Sequence, residues 1–181
     1  TNTYLVGTGR KRILVDTGQG VAAYLGVLER ALERAGCDGI QEIVLTHSHV
    51  DHGGGLAQVQ GRWGPLRVSK LPGPDDARHN LVAEPLADGA RVRTQGATLR
   101  AVHTPGHTAG HMSLWIELPK GDPILLCGDA ADLVENLDDE VAPGLCWRER
   151  DDLALASIRK LKRLAHETHA VLWPNHDLAF Y

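Results

Sequence analysis

The stretch Ile40-Gln41-Glu42-Ile43-Val44-Leu45-Thr46-His47-Ser48-His49-Val50-Asp51-His52-Gly53-Gly54-Gly55 joins an apolar run to a dense polar cluster. Ile40 to Thr46 is rich in branched aliphatic residues and reads as a buried strand. The glycine triplet lets the backbone approach a site closely and opens a short helix at Leu56. His47, His49, Asp51 and His52 therefore fall on a tight loop between a strand and a helix start. Histidine is the commonest metal ligand, so four donors packed this densely read as half of a metal site. The other half has to come from elsewhere in the chain.

Upstream, the short apolar runs Thr3 to Val6 and Arg12 to Val15 flank Gly7-Thr8-Gly9-Arg10 and predict a β-hairpin. Val21, Tyr24, Leu25, Leu28, Ala31 and Leu32 recur at helical spacing, which predicts a helix over 21–35 stopped by Gly36. Downstream, 66–69 reads as a short strand and 71–76 as a loop full of breakers. A second hairpin is expected over 92–94 and 98–102. Strands follow over 112–118 and 123–127, around a turn at Pro119-Lys120-Gly121-Asp122. Residues 132–152 read as an acidic loop, 153–164 as a helix with Leu153, Ala156, Leu161 and Leu164 on its apolar face, and 171–173 as a last strand. Hairpins interspersed with helices favour an α/β sandwich of mixed sheets over a doubly wound parallel sheet.

Two of the later strands end on further donors, Asp129 and His176, and His107 lies on the loop between two others. The candidate ligand set is thus His47, His49, Asp51, His52, His107, Asp129 and His176. A closed structural zinc site needs only four ligands. Five histidines and two aspartates suffice for two ions sharing a carboxylate, with room left for a bridging water whose pKa falls to about 7. Nitrogen and oxygen donors without thiolate suit two Zn²⁺ ions, with Fe, Mn or Co as other fits. The expected chemistry is hydrolysis, a bridging hydroxide attacking the substrate and Asp51 carrying the proton to the leaving oxygen.

Size and composition agree with this. The 181 residues allow one domain with a sizeable core, or two very small ones; residues 1–181 are read as one. No apolar stretch approaches the length of a membrane span. The chain does not open on a methionine, so the native start is expected to lie upstream. Cys37, Cys127 and Cys146 are odd in number and form no C-x-x-C pair, which fits a reducing, cytoplasmic setting without a disulfide framework. Formal net charge is −4 and the acidic excess sits after residue 120, so no cationic footprint for nucleic acid is present. A small-molecule substrate is the expected partner, and oligomeric state is left open.

The H-x-H-x-D-H run of residues 47–52, Pro105-Gly106-His107-Thr108, Gly128-Asp129 and the late His176 together resemble the metallo-β-lactamase superfamily across the whole chain. The resemblance implies a four-layered αβ/βα sandwich of two mixed sheets flanked by helices. It implies that His47, His49 and His107 hold one metal, that Asp51, His52 and His176 hold the second, and that Asp129 bridges them. It also gives Asp16, at the end of the Leu-Val-Asp-Thr-Gly strand, a supporting role behind the ligand loop.

Residues 1–18 and 88–114 resemble the β-lactamase-like endoribonucleases and the related polyketide thioesterases. From Gly128-Asp129-Ala130-Ala131 onward, the chain looks like the N-acyl homoserine lactonases. Lactone opening is therefore the first expected activity, with endoribonuclease or acyl-thioesterase action as the alternative. Two departures bear on this. Asp132 stands where those lactonases place a tyrosine that contacts the substrate carbonyl. Only five residues follow His176, up to Tyr181, where the endoribonucleases continue into a helical region, so a nucleic-acid platform is not expected. A non-hydrolytic metal-binding or di-iron redox domain is the remaining reading; those relatives carry a glutamate where this chain has His49.

Other conspicuous residues have plainer readings. His79, His103, His166 and His169 are expected to be structural or solvated, and His111 either that or a support behind the ligands. Arg10-Lys11-Arg12 is a charged turn. Trp147 would plug the core or wall an acyl pocket, and Cys127 is a buried strand residue rather than a nucleophile.

Overall fold

The computed structural model describes residues 1–79 and 81–180. Tyr181, on which the expectation about a helical extension rests, lies outside them. The first hairpin forms from β1 (Tyr4–Val6) and β2 (Lys11–Val15), antiparallel with Tyr4 opposite Val15. β3 (Gly39–Val44), β4 (Val68–Lys70) and β5 (Glu84–Pro85) add to it in parallel, giving one five-stranded sheet in the order β1-β2-β3-β4-β5. The second sheet has the order β10-β9-β8-β7-β6, built from β6 (Arg91–Thr94), β7 (Ala97–His103), β8 (Met112–Glu117), β9 (Ile124–Gly128) and β10 (Val171–Pro174). Its strands are antiparallel except for the β10–β9 pair. Both sheets are mixed.

The period of two along each strand decides the layering. Ile13 and Val15 point inward with Val44 to meet Leu99, Leu114, Ile116 and Leu126 from the other sheet. Leu14, Ile43 and Leu45 face outward onto Leu28 and Leu32 of α1 (Tyr24–Arg34) and Val59 of α3 (Leu56–Trp63). On the far side Val102, Leu125 and Cys127 meet Ile158, Leu161 and Ala165 of α5 (Asp151–Thr168). The result is helix, sheet, sheet, helix.

Several boundaries move from their sequence-based positions. The stretch 132–152 is not all loop: α4 (Val134–Asp138) forms there, its start held by the Asn136 side chain, which accepts the Leu133 N–H at 2.8 Å. A helix this short shows no apolar period to read. β5 went unpredicted because two exposed residues, one of them proline, carry no strand pattern. Asp51 and His52 lie on a single helical turn, α2 (Val50–Gly53), rather than on a loop.

The glycine triplet has a steric cause. The Thr17 N–H and hydroxyl both donate to the His52 carbonyl, and the Gly55 N–H donates to the Gly18 carbonyl, tying α2 against the end of β2. A Cβ on Gly55 would fall 2.1 Å from the Thr17 carbonyl oxygen. Gly55→Ala is therefore expected to cost about 1–3 kcal/mol. The thermal midpoint should fall by about 2–4 °C for each of these, and a melt unchanged from wild type would contradict the close approach.

Candidate metal centre

All seven predicted donors converge where the two sheets present their strand ends. They form two groups, His47 with His49 and His107, and Asp51 with His52, Asp129 and His176; within each group one donor atom per residue lies within 4.8 Å of the others. Asp129, at the end of β9, touches both groups. Its Oδ2 lies 3.4 Å from His107 Nε2, 3.4 Å from His176 Nε2 and 3.9 Å from His47 Nε2. His52 Nε2 sits 3.1 Å from Asp129 Oδ1 and 3.3 Å from Asp51 Oδ2.

Partners outside the cluster set which ring nitrogen faces in. His52 Nδ1 lies 2.8 Å from Asp16 Oδ2, and His107 Nδ1 lies 2.9 Å from the Leu145 carbonyl. Each Nδ1–H donates outward, which leaves Nε2 to face the cluster. Asp16 does more. Its carboxylate also accepts the Thr46 N–H at 2.8 Å and the Thr46 hydroxyl at 2.9 Å, fixing the peptide that leads into His47. Its φ of +58° lies in the left-handed region, where aspartate is better tolerated than most residues, and the three hydrogen bonds hold it there. Asn175 adds a donor to Asp129 Oδ1 at 3.0 Å.

The donor set fits a divalent cation. His47 Nε2 is buried and has no hydrogen-bond partner among the described residues, a costly state for a polar atom unless something else pairs with it. Burial, reinforced by the charge on His52, holds the His47 pKa well below its ordinary value. Burial and the neighbouring His107 lower His49 as well. Neutral imidazole is the ligand form. Burial alone would raise Asp129, but hydrogen bonds from His176 and His52 keep it ionised. The hydrogen bond from His52 does the same for Asp51. Burial works to lower His52, yet the charge of Asp16 and the bonds to Asp129 outweigh it and raise it to about 12; a proton is held amid three carboxylates, where a cation would satisfy them instead.

A cleft of about 370 Å³ opens over the donors, walled by His49, Asp51, His107, Asp129, His176 and also by Asp132, Gly144 and Leu145. Asp132 belongs to neither donor group. Burial and the charge of Asp129 raise its pKa, and its Oδ1 is buried without a hydrogen-bond partner among the described residues.

The remaining histidines divide as follows. His166 and His169 are exposed, and His103 Nε2 meets the Ala109 carbonyl at 2.9 Å. His79 is exposed with its ring 6.0 Å from that of His49, outside the cleft wall. His111 is fully buried directly behind Asp129, and burial drives its pKa down to about 3. Trp147 neither plugs the core nor walls the cleft; its backbone N–H donates to the Gly106 carbonyl at 2.6 Å and Arg148 stacks on its ring. Cys127 is fully buried, its thiol pushed up to about 12 by burial, as expected of a residue that is no nucleophile. Sequence reasoning missed Asn175 and the Leu145 carbonyl. Asn175 had a signal, its place beside His176; a backbone carbonyl 38 residues from its partner had none.

Residues 1–176 match the family model described as the Metallo-beta-lactamase superfamily. The chain belongs to that superfamily. Among curated metallo-β-lactamase relatives, it is 43% identical over 143 residues to the lactamase-like protein aptB of Emericella nidulans, covering 76% of this chain and 43% of that protein. It is 38% identical over 138 residues to an atrochrysone carboxyl ACP thioesterase of Aspergillus fumigatus, covering 72% of this chain and 31% of that protein. The chain thus spans less than half the length of these relatives. In structure it resembles a quorum-quenching N-acyl homoserine lactone hydrolase, with a TM-score of 0.77 and 25% identity over 98% of this chain and 80% of that one. The four-layered metallo-β-lactamase architecture is therefore the fold of this chain. No helix among the described residues is long and apolar enough to cross a membrane.

Proposed function

We propose that residues 1–181 form a single dinuclear metal hydrolase domain that opens an ester-like acyl bond, with a lactone as first substrate and an acyl thioester as second. The observation that carries this is the position of Asp129, whose carboxylate reaches both donor groups under an open cleft. In this reading His47, His49 and His107 hold one ion, Asp51, His52 and His176 the other, and Asp129 both. All-nitrogen and oxygen donors favour zinc, with Fe, Mn or Co as other fits. When bound, such ions supply Lewis-acid polarisation of a carbonyl and an activated water near neutral pH.

The protein's own groups do the rest. Asp51 stays ionised and half-exposed at the cleft, placed to take a proton and pass it to the leaving oxygen. Beside Asp132, Leu145 and Gly144 form the uncharged part of the wall, against which an acyl group can lie. Lactone opening is supported by the likeness to the lactone hydrolase fold over nearly the whole chain, and thioester cleavage by the sequence relatives, one of which is named an ACP thioesterase. The free thiols support a reducing, cytoplasmic setting.

The test is a panel of lactones, acyl thioesters, phosphodiesters and a β-lactam on zinc-loaded protein, with His107→Ala as control. Lactone or thioester turnover that vanishes with chelation or in H107A is expected. Turnover retained by metal-free protein would overturn the reading. Asp132→Tyr sharpens it: a phenol donor in the cleft should raise lactone kcat/KM by about tenfold, the worth of one hydrogen bond near 1.4 kcal/mol, with metal content unchanged. No gain, with metal content intact, would show that Asp132 does not limit lactone turnover.

A further inference from the structure

Behind Asp129 lies a closed circuit of buried hydrogen bonds that the ligand set does not include. His111, the residue before β8, receives the Asp129 backbone N–H on its Nε2 at 3.0 Å. That atom is therefore an acceptor, and the ring proton sits on Nδ1. Nδ1 lies 2.9 Å from Thr104 Oγ1, which lies 2.9 Å from Ser113 Oγ. The Ser113 hydroxyl donates to the Cys127 carbonyl at 2.7 Å. Nδ1 also lies 3.1 Å from the Thr104 carbonyl, so its proton has two acceptors on Thr104; the Ser113 hydroxyl is committed to Cys127, which leaves the Thr104 hydroxyl as donor to Ser113. The circuit begins on the amide of residue 129 and ends on the carbonyl of residue 127.

What lies between is Gly128, at φ +58°. A Cβ there would fall 2.6 Å from His111 Nε2, so the imidazole fills the space a side chain would need. The circuit thus grips both peptide groups flanking the residue that turns β9 toward the donors. His111, Thr104 and Ser113 are all completely buried, where each such bond is electrostatically strong and each lost one is costly. Because Nε2 is spent on the amide, His111 is no ligand itself.

We infer that His111 is a positioning residue that, through the Asp129 amide, aims the carboxylate shared by the two donor groups. The inference rests on the metal-site reading above. It applies to metal affinity at the shared carboxylate, whatever substrate the cleft takes.

The test is Zn²⁺ titration by calorimetry, with the visible spectrum of Co²⁺-substituted protein as a second readout. Wild type, His111→Leu and His111→Gln are compared, each checked for folding by circular dichroism. Leucine fills the space without an acceptor; glutamine can present Oε1 to the amide. H111L is expected to lose 10–100-fold in affinity, the usual effect of removing a partner behind a ligand, and to alter the Co²⁺ spectrum, while H111Q recovers most of both. Should H111L fail to fold, H111Q and His111→Ala decide: H111A, which also takes the acceptor from the Asp129 amide, should weaken binding while H111Q stays near wild type. Wild-type affinity and spectrum in a folded H111L, or in H111A where H111L does not fold, would overturn the inference while leaving the metal site standing. A wild type that binds neither ion would overturn the metal reading and this inference with it.

Discussion

Asp129→Ala should leave a folded protein that carries at most one metal ion per chain and has lost at least about 100-fold in turnover. The lower bound comes from comparison, since removing merely a partner behind a ligand costs about 10–100-fold, and Asp129 contacts both donor groups directly. Its two oxygens sit between His52, His107 and His176 at 3.1–3.4 Å, so alanine removes an anion that both ions would share. Folding should survive because the apolar core lies between and outside the sheets, in three clusters that do not include this residue. Elemental analysis of the purified variant, beside a melt, makes the measurement. Two ions bound to folded D129A would show that the carboxylate is not shared, and the assignment of the two groups would have to be redrawn.

Removing the metal from the wild-type chain should lower the thermal midpoint by about 10 °C without abolishing a cooperative melt. A ligand held at a thousandfold excess over its dissociation constant stabilises by about 4 kcal/mol, and a chain of this size shifts by about 2–4 °C per kcal/mol. The loss falls on buried groups. His47 would again have an unpaired Nε2, and the carboxylates of Asp16, Asp51 and Asp129 would again crowd round a single protonated His52. Those internal pairs are why the apo form should remain folded, unlike small zinc domains whose fold depends on the ion. Differential scanning calorimetry with and without a chelator decides it. Identical melts would mean that the donors hold no ion worth measuring.

The donors were readable from sequence because their spacing is local and their flanks are strands: His47 to His52 follow one apolar run, Asp129 ends another, and His176 a third. The sandwich was expected from hairpins interspersed with helices and its four layers from the family resemblance; the alternation in Ile13-Leu14-Val15, whose middle residue faces the helices and whose outer two face the other sheet, supplies the physical reason. What escaped were features without local pattern. β5 and α4 are too short to show a period, and the Leu145 carbonyl that orients His107 is a backbone group with no sequence identity of its own. His111 was visible but undecided, because its partner is an amide that only the turn at Gly128 brings to it. Asp16 was placed by resemblance, and its three hydrogen bonds supply the physical reason.

The two sheets each contribute one side of the donor array: residues 47–52 follow β3 of the first sheet, while His107, Asp129 and His176 follow strands of the second. An ion seated there would act as a clasp between two halves of the chain that meet through apolar contacts and a few hydrogen bonds, such as the Met112 N–H to the Thr46 carbonyl. Neither half can assemble the site alone, so metal capture would report that the halves have docked.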